Sequence, residues 1–387
     1  MLTSVGPMMY RVPRGLAAML GAGIFAGLAP AARVSGTWLL AGLVLAGLLA
    51  VGYGWRYAIE PGNQALSISD KPGLLGTLGR VAGASAIAGT FGLYVLPQHP
   101  LPAAIGVIVV TAALTLAGVR PSGTVVGILV ALVLAVLVVF VAACLAIAPA
   151  GQVVAAPAGS PGTDRLAGLP AATALMFFGF LGFERAGGRT TRVVAIGVAL
   201  AVYLAVGYAA LRQLGGPRLA SSPTPLRDAL AAADASGIDA VLTVGAAVAT
   251  VLALLGVFAD LRRGTNRAVP PAAALLAAAG TVLLSVPASM AVAVGLTLAG
   301  YAVRLLRRDQ HEDQRRNGQH DADHERCGAD VAREEPAVVA PVPPDRPPDA
   351  GTQPDQDAEP AEPHVTEQHQ HAGQERRQDR DRGDAEV

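Results

Sequence analysis

The chain has 387 residues, of which 52% are hydrophobic and 15% charged, and its zero formal net charge hides a strong segregation. Residues 1–308 carry 20 basic and 8 acidic side chains, a balance of +12, whereas residues 309–387 carry 9 basic and 21 acidic side chains, a balance of −12. These proportions exclude a pair of ordinary soluble domains, and the two cysteines, Cys144 and Cys327, exclude a disulfide framework.

Ten apolar runs in residues 1–308 are candidates for membrane-spanning helices. A helix needs about 20 mostly apolar residues to cross a hydrocarbon core of about 30 Å, and it satisfies its own backbone hydrogen bonds there. The fifth run carries no charge, and the third is rich in glycine. The ninth and tenth runs are separated only by Pro287, so they form either a hairpin or one kinked helix. The predicted spans are Gly15–Ala32, Thr37–Ala58, Leu74–Leu96, Leu101–Val119, Thr124–Ala148, Leu166–Phe183, Val193–Leu214, Ile238–Ala259, Val269–Val286 and Ala288–Leu306.

Loop charges test this count independently, because cytoplasmic loops of membrane proteins carry an excess of Lys and Arg. With a cytoplasmic N-terminus, ten spans place 15 basic residues of the body inside and five outside. A wrong helix count would disturb the alternation of charge between the two sides, so in a model with eight or twelve spans this bias would need another cause. The outside set is Arg33, Arg165, Arg212, Arg218 and Arg227, and the inside set includes Arg14, Arg80, Arg120, Arg185 and Arg262.

The sequence therefore predicts an all-α polytopic membrane protein with about ten transmembrane helices and both termini in the cytoplasm. The first run continues into further spans, which favours a retained helix over a cleaved signal. The Gly/Ala-rich, Lys-poor composition is typical of a high-GC bacterium and hence indicates the plasma membrane. Three ionisable side chains, Arg80, Glu184 and Asp260, lie near the ends of spans, where we expect their charged groups to reach water.

Residues 309–387 form a second region, after the transmembrane domain at 1–308. This acidic, His-rich segment has few aliphatic and no aromatic residues, so we expect a disordered cytoplasmic tail. His320 and His324 have an i,i+4 spacing and three further histidines follow, but without a cysteine pair or ordered scaffold we predict no metal site.

The stretch GAGIFAG, from Gly21 to Gly27, has three interpretations. It fits the glycine spacing of a dinucleotide-binding loop, but no strand precedes it and no acidic residue follows at the required distance. Its small residues also suit close packing of helices. Alternatively, the glycines interrupt the helix in mid-membrane, where freed backbone N–H groups bind an anionic group such as a carboxylate.

The stretch FFGFLGFERAGGR, from Phe177 to Arg189, ends the sixth run. Taken alone it favours an aromatic packing patch beside a charged membrane boundary. Its position favours a functional role instead, because spans one and six occupy corresponding places in two halves of five helices each. Glycine-interrupted spans at matching positions are a sequence indicator of the binding site in an inverted-repeat transporter.

These residues resemble the amino acid permeases of the amino acid–polyamine–organocation superfamily. GAGIF is similar to the G-[SA]-G-I-F signature of that family's first helix, FFGFLGFE to its sixth-helix F-F-x-F-x-G-F-E signature, and GVALAVYLAVGYAALRQLG to its seventh helix. The resemblance covers roughly residues 15–58 and 120–260, and it is fainter elsewhere. It implies a LeuT-like fold of two inverted five-helix repeats.

The resemblance also implies a set of site residues. The α-carboxylate of the substrate would be held by Gly21, Ala22, Gly23, Ile24 and Phe25. The amine and side-chain pocket and its gate would be shaped by Phe177, Phe178, Gly179, Phe180 and Phe183. Glu184 occupies the family's glutamate position, as a candidate for gating or coupling.

The leading hypothesis is a secondary transporter that moves an amino acid or related amine by alternating access, coupled to protons or working by exchange. The alternative is a non-transporting membrane scaffold or sensor, derived from a permease, whose tail recruits partners. No HExxH motif, G-x-S-x-G motif or acid–base pair lies within a span, so we predict no enzymatic activity. We expect a small-molecule substrate and the lipid bilayer as partners, with no cofactor, metal or nucleic acid.

Overall fold

The computed structural model of the chain describes residues 5–59, 74–148, 161–264, 269–300 and 302–303. Within these ranges the ordered backbone is helical and contains no strand, so the predicted all-α class is confirmed there. The predicted tail at 309–387, with its histidines, lies outside the described residues.

Twelve α-helices lie within the described ranges. Their order is α1 Val5–Ala22, α2 Ile24–Ser35, α3 Leu39–Ile59, α4 Leu74–Val95, α5 Pro100–Leu116, α6 Gly123–Ala146, α7 Leu169–Phe177, α8 Arg189–Ser221, α9 Pro225–Ala232, α10 Asp239–Gly264, α11 Val269–Leu283 and α12 Val286–Gly300.

Local sequence explains where several of these helices begin and bend. Pro100 occupies the first turn of α5, where its missing N–H costs nothing. The side chain of Ser122 accepts a hydrogen bond from the backbone N–H of Val125 and so caps α6. Gly215 has a φ of 69° and breaks the long helix α8 directly after Leu214, where the seventh predicted span ends.

Five helices in the described part of the chain are long and apolar enough to cross a membrane. They are Ile24–Tyr53, in which α2 and α3 are joined by a short turn, and those at Leu74–Val95, Gly123–Ala146, Arg189–Ser221 and Ser236–Arg262. The apolar helices Pro100–Leu116, Leu166–Phe180, Pro270–Leu283 and Val286–Gly300 are shorter. A polytopic membrane protein fits this pattern, while the count of ten spans stays a prediction.

Several long helices connect the same two ends of the bundle. The second turn of α4 and the first turn of α6 lie beside the end of α10 around one cavity. At the opposite end the last turn of α4 lies beside the first turn of α10, because Arg227 donates to the backbone oxygen of Tyr94 and pairs with Asp239. Helices α4 and α10 are therefore antiparallel.

Helices α11 and α12 form a hairpin against α4. The hydroxyl of Ser85 in α4 donates to the backbone oxygen of Ala277 in α11, at 2.9 Å. A methyl group added at Gly89 would contact Val286, and one added at Gly79 would contact Thr297, so α12 runs back along α4. The turn falls at residues 284–285, just before Pro287, and the hairpin alternative for the last two runs is therefore confirmed.

Candidate functional site

The first predicted span is divided at Gly23. Helix α1 ends at Ala22 and α2 begins at Ile24, whereas the sequence predicted one span from Gly15 to Ala32. The N–H of Gly23 donates to the backbone oxygen of Met19 at 3.3 Å, and the N–H of Gly27 donates to that of Gly23 at 2.9 Å. The helix bends here without unwinding, so these two amides are occupied in this conformation.

The sixth predicted span is divided more deeply. Helix α7 ends at Phe177, a 3-10 turn covers Phe178–Phe180, and a second such turn covers Phe183–Ala186. Between the turns Gly182 has a φ of 103°, and a methyl group there would lie 2.6 Å from the Cβ of Ala18 in α1. Glycine is required at this position for both its conformation and its lack of a side chain.

The two interruptions lie directly against each other. A Cβ added at Gly179 would lie 2.9 Å from the Cα of Gly23, and one added at Gly23 would overlap Gly179 in turn. Because neither residue has a side chain, the backbones of the two broken helices make contact. The structure thus brings together the two motifs that the sequence analysis singled out.

The hydroxyl of Tyr203, from α8, lies at this crossing. Its oxygen is 2.5 Å from the backbone oxygen of Met19 and 3.0 Å from that of Gly179, so it donates to carbonyls on both broken helices. The ring is 2% exposed and packs against Phe180, with centroids 5.4 Å apart. Sequence reasoning missed Tyr203, although a tyrosine in an apolar run signals a buried hydroxyl that needs a partner.

The other predicted aromatic residues are buried around the crossing. Phe25 makes an edge-to-face contact with Tyr94, at 5.4 Å between centroids, and Phe183 makes one with Tyr53, at 5.5 Å. Phe178 lies beside Gly83 of α4. Phe177 is also buried.

Three predicted residues lie apart from the crossing or have side chains outside the described part of the chain. Gly21 faces α10, where a methyl group would lie 2.6 Å from the Cβ of Ala253. The side chains of Ala22 and Glu184 lie outside the described part of the chain, although their backbones belong to α1 and to the second 3-10 turn. Substrate roles for all of these residues stay predictions.

Replacing Tyr203 by phenylalanine is expected to lower the free energy of unfolding by about 1–3 kcal/mol, because buried carbonyls on two helices lose their shared donor. Tyr208, on the same helix, is 54% exposed, so Tyr208→Phe is the matched control and should change stability little. Unfolding of both variants in mixed micelles, followed by circular dichroism, measures the difference. Equal stability of the two variants would show that the hydroxyl does not hold the crossing together.

A cavity of about 540 Å³ opens at the end of the bundle where α1, α4 and α6 begin. Its described lining includes five arginines and one carboxylate, contributed by five different parts of the chain. These charged residues are Arg14, Arg80, Arg120, Arg185, Arg262 and Asp260. The loop-charge analysis assigned all five arginines to the same side of the membrane, and they do lie at one end of the fold.

Asp260 corrects one expectation from the sequence. We expected its carboxylate to reach water, but the side chain is 7% exposed and its Oδ2 lies 2.5 Å from Nη2 of Arg185. Nε of Arg185 donates to the same oxygen at 2.9 Å. Burial is possible here because the guanidinium supplies the partner that a buried carboxylate requires.

The opposite end of the bundle is closed by the short helix α9. Leu226 and Leu230 of α9 are fully buried, and the N–H of Leu226 donates to the hydroxyl of Tyr94 at 3.3 Å. Nearby, Arg212 and Gln213 donate to the backbone oxygens at the end of α6, including that of Cys144. All five arginines predicted outside lie at this end: Arg33, Arg165, Arg212, Arg218 and Arg227.

Comparison with known proteins points to membrane transport. No model of a known protein family matches the chain. It is 31% identical over 278 residues to an uncharacterized transporter of Mycobacterium bovis, and equally to one from each of two strains of Mycobacterium tuberculosis. The matched region is 65% of this chain, and it spans 62% of the length of each relative. Together with the apolar helices, this similarity supports a multi-pass membrane protein related to transporters.

Proposed function

We propose that the chain is a secondary transporter that moves an amino acid or related amine across the plasma membrane. The observation that carries this proposal is the contact between Gly23 and Gly179, where two interrupted helices meet deep in the bundle. Broken helices that meet near the bilayer midplane are the usual substrate sites of such transporters. In this proposal the protein is a carrier that lies in the bilayer and binds a small-molecule substrate. It has no enzymatic step and uses no cofactor or nucleic acid.

The direction of the two broken helices supports an inverted repeat. The segment α1–α2 runs from the cavity toward the end closed by α9, and α7 runs the opposite way, since Gly168 lies beside Val34 and Gly187 lines the cavity. Helices in corresponding positions of two inverted halves have opposite directions. We therefore retain the LeuT-like arrangement of five plus five helices as part of the proposal.

The asymmetry between the two ends supports alternating access. The α9 end is closed by buried leucines and hydrogen bonds, whereas the other end holds the cavity. The excess of arginine at the cavity end supports a cytoplasmic position for that end, by the positive-inside rule. The chain thus has the features of an inward-facing state, with cytoplasmic termini, in which the substrate site is closed to the outside.

Opening the site to a substrate requires the crossing to loosen. The amides of Gly23 and Gly27 are hydrogen-bonded in this conformation, so a carboxylate would bind at α2 only after the bend widens. Substrate binding then selects a conformation in which the two broken helices separate. Exchange or proton coupling supplies the driving force in this proposal.

The test is uptake of radiolabelled amino acids and polyamines into proteoliposomes, with and without a proton gradient or internal substrate. We expect one substrate class to accumulate, and Phe180→Leu to change its uptake rate by about tenfold, because that ring packs at the crossing. Phe140, in α6, is as deeply buried and makes Phe140→Leu a matched control. If correctly folded protein moves none of these solutes, the transporter proposal fails and a scaffold or sensor derived from a permease takes its place.

A further inference from the structure

The described side chains that line the cavity at the α1, α4 and α6 end carry more positive than negative charge. Its described lining holds five arginines and one carboxylate, that of Asp260, to which Arg185 is bound, and Arg262 donates to the backbone oxygen of Thr115. Like charges gathered in one cleft raise the local concentration of counter-ions of the opposite sign.

The arrangement of these arginines fits a ligand that several of them hold at once. Asp260 is buried at the base of the cavity, while Arg14 and Arg120 are exposed at its mouth. The volume of about 540 Å³ is that of a small-molecule site and is far larger than a single ion needs. Arginine presents a planar fork of donors that matches phosphate oxygens two at a time.

We propose that this cavity is a binding site for a phosphate-bearing anion, separate from the glycine crossing. Basic pockets between transmembrane helices on the cytoplasmic side bind phosphate head groups of lipids, and the same donors bind a soluble phosphate compound. The shared chemistry is a phosphate group with at least two of its oxygens held by guanidinium groups. The inference does not depend on what the glycine crossing transports.

The test uses the purified full-length protein in detergent and two probes. One is inorganic pyrophosphate, titrated by calorimetry at low ionic strength, and the other is phosphatidylglycerol, added to the micelles and compared with phosphatidylcholine. We expect saturable binding of one probe, weakened about tenfold by Arg120→Gln, since a hydrogen bond to a charged group is lost. Binding of pyrophosphate alone identifies a soluble ligand, and binding of phosphatidylglycerol alone identifies a lipid head group.

The matched control is Arg218→Gln, which removes one exposed positive charge at the opposite end of the bundle. It should leave binding unchanged, and the Arg14→Gln/Arg120→Gln double variant should weaken binding further than Arg120→Gln. Equal weakening by Arg120→Gln and Arg218→Gln would reveal a nonspecific charge effect and overturn the proposal. Failure of the wild-type protein to bind either probe would overturn it without any variant.

Discussion

Replacing Gly23 by alanine is expected to lower the free energy of unfolding by about 3 kcal/mol or more and to abolish any uptake. The added methyl group would overlap the Cα of Gly179 and lie 2.9 Å from the hydroxyl oxygen of Tyr203. Overpacking a well-packed core costs about 1–3 kcal/mol, and backbone cannot rotate away as a side chain does. Unfolding of the purified variant by sodium dodecyl sulfate, beside wild type, measures the loss.

Gly197 provides the matched control for this substitution. It lies on the exposed face of α8, and an added methyl group there would have no neighbouring atom within 4 Å. Because alanine favours a helix over glycine by about 0.5–1 kcal/mol, Gly197→Ala should be neutral or slightly stabilising. A Gly23→Ala protein as stable as the Gly197→Ala protein would disprove the close contact of the two broken helices.

Replacing Asp260 by asparagine is expected to destabilise the protein by about 3–5 kcal/mol, the usual cost of breaking a buried ion pair. The substitution removes the described charged partner of the Arg185 guanidinium, whose side chain is only 18% exposed, in a cavity lined by four other arginines. Removing both charges, in Arg185→Gln/Asp260→Asn, should recover part of this loss. Chemical unfolding of the two single variants and the double variant gives the coupling energy.

Asp239 serves as the control, since it lies in the same helix and also pairs with an arginine. That pair is more exposed, with 23% of the Arg227 side chain and 37% of the Asp239 side chain accessible, so Asp239→Asn should cost only about 0–1 kcal/mol. If Asp239→Asn and Asp260→Asn lowered the free energy of unfolding equally, burial of the Arg185–Asp260 pair would contribute nothing to stability.

The helices and their interruptions could be predicted because they depend on local composition. The uncharged fifth run was predicted at Thr124–Ala148 and forms α6 at Gly123–Ala146. Paired glycines in apolar runs suggested the interruptions near Gly23 and Gly179 as one of several interpretations, since glycine weakens a helix wherever it occurs. The alternating loop charges predicted which arginines share an end of the bundle, although not that five of them line one cavity.

The contacts that hold the site together could not be predicted, because they join residues far apart in the chain. Tyr203 lies 184 positions from Met19, whose backbone oxygen its hydroxyl contacts. Asp260 is separated from Arg185 by 75 positions. The sequence showed only that Asp260 lies near the end of a predicted span, and not which residue it pairs with. Both contacts depend on which face of each helix points into the bundle. A run that is apolar on all sides contains little information about which face that is.

The hydroxyl of Tyr203 has one proton and two carbonyl acceptors, which affects how the two broken helices move. When both oxygens are near, the proton is shared, and neither hydrogen bond has its full strength. If the helices separate, the proton stays with one oxygen, and that single bond strengthens as the other is lost. The net cost of separation is then below the roughly 1 kcal/mol of a whole hydrogen bond. In the proposed transporter, the hydroxyl of Tyr203 can therefore follow either broken helix, and it adds little to the energy difference between the open and closed conformations of the crossing.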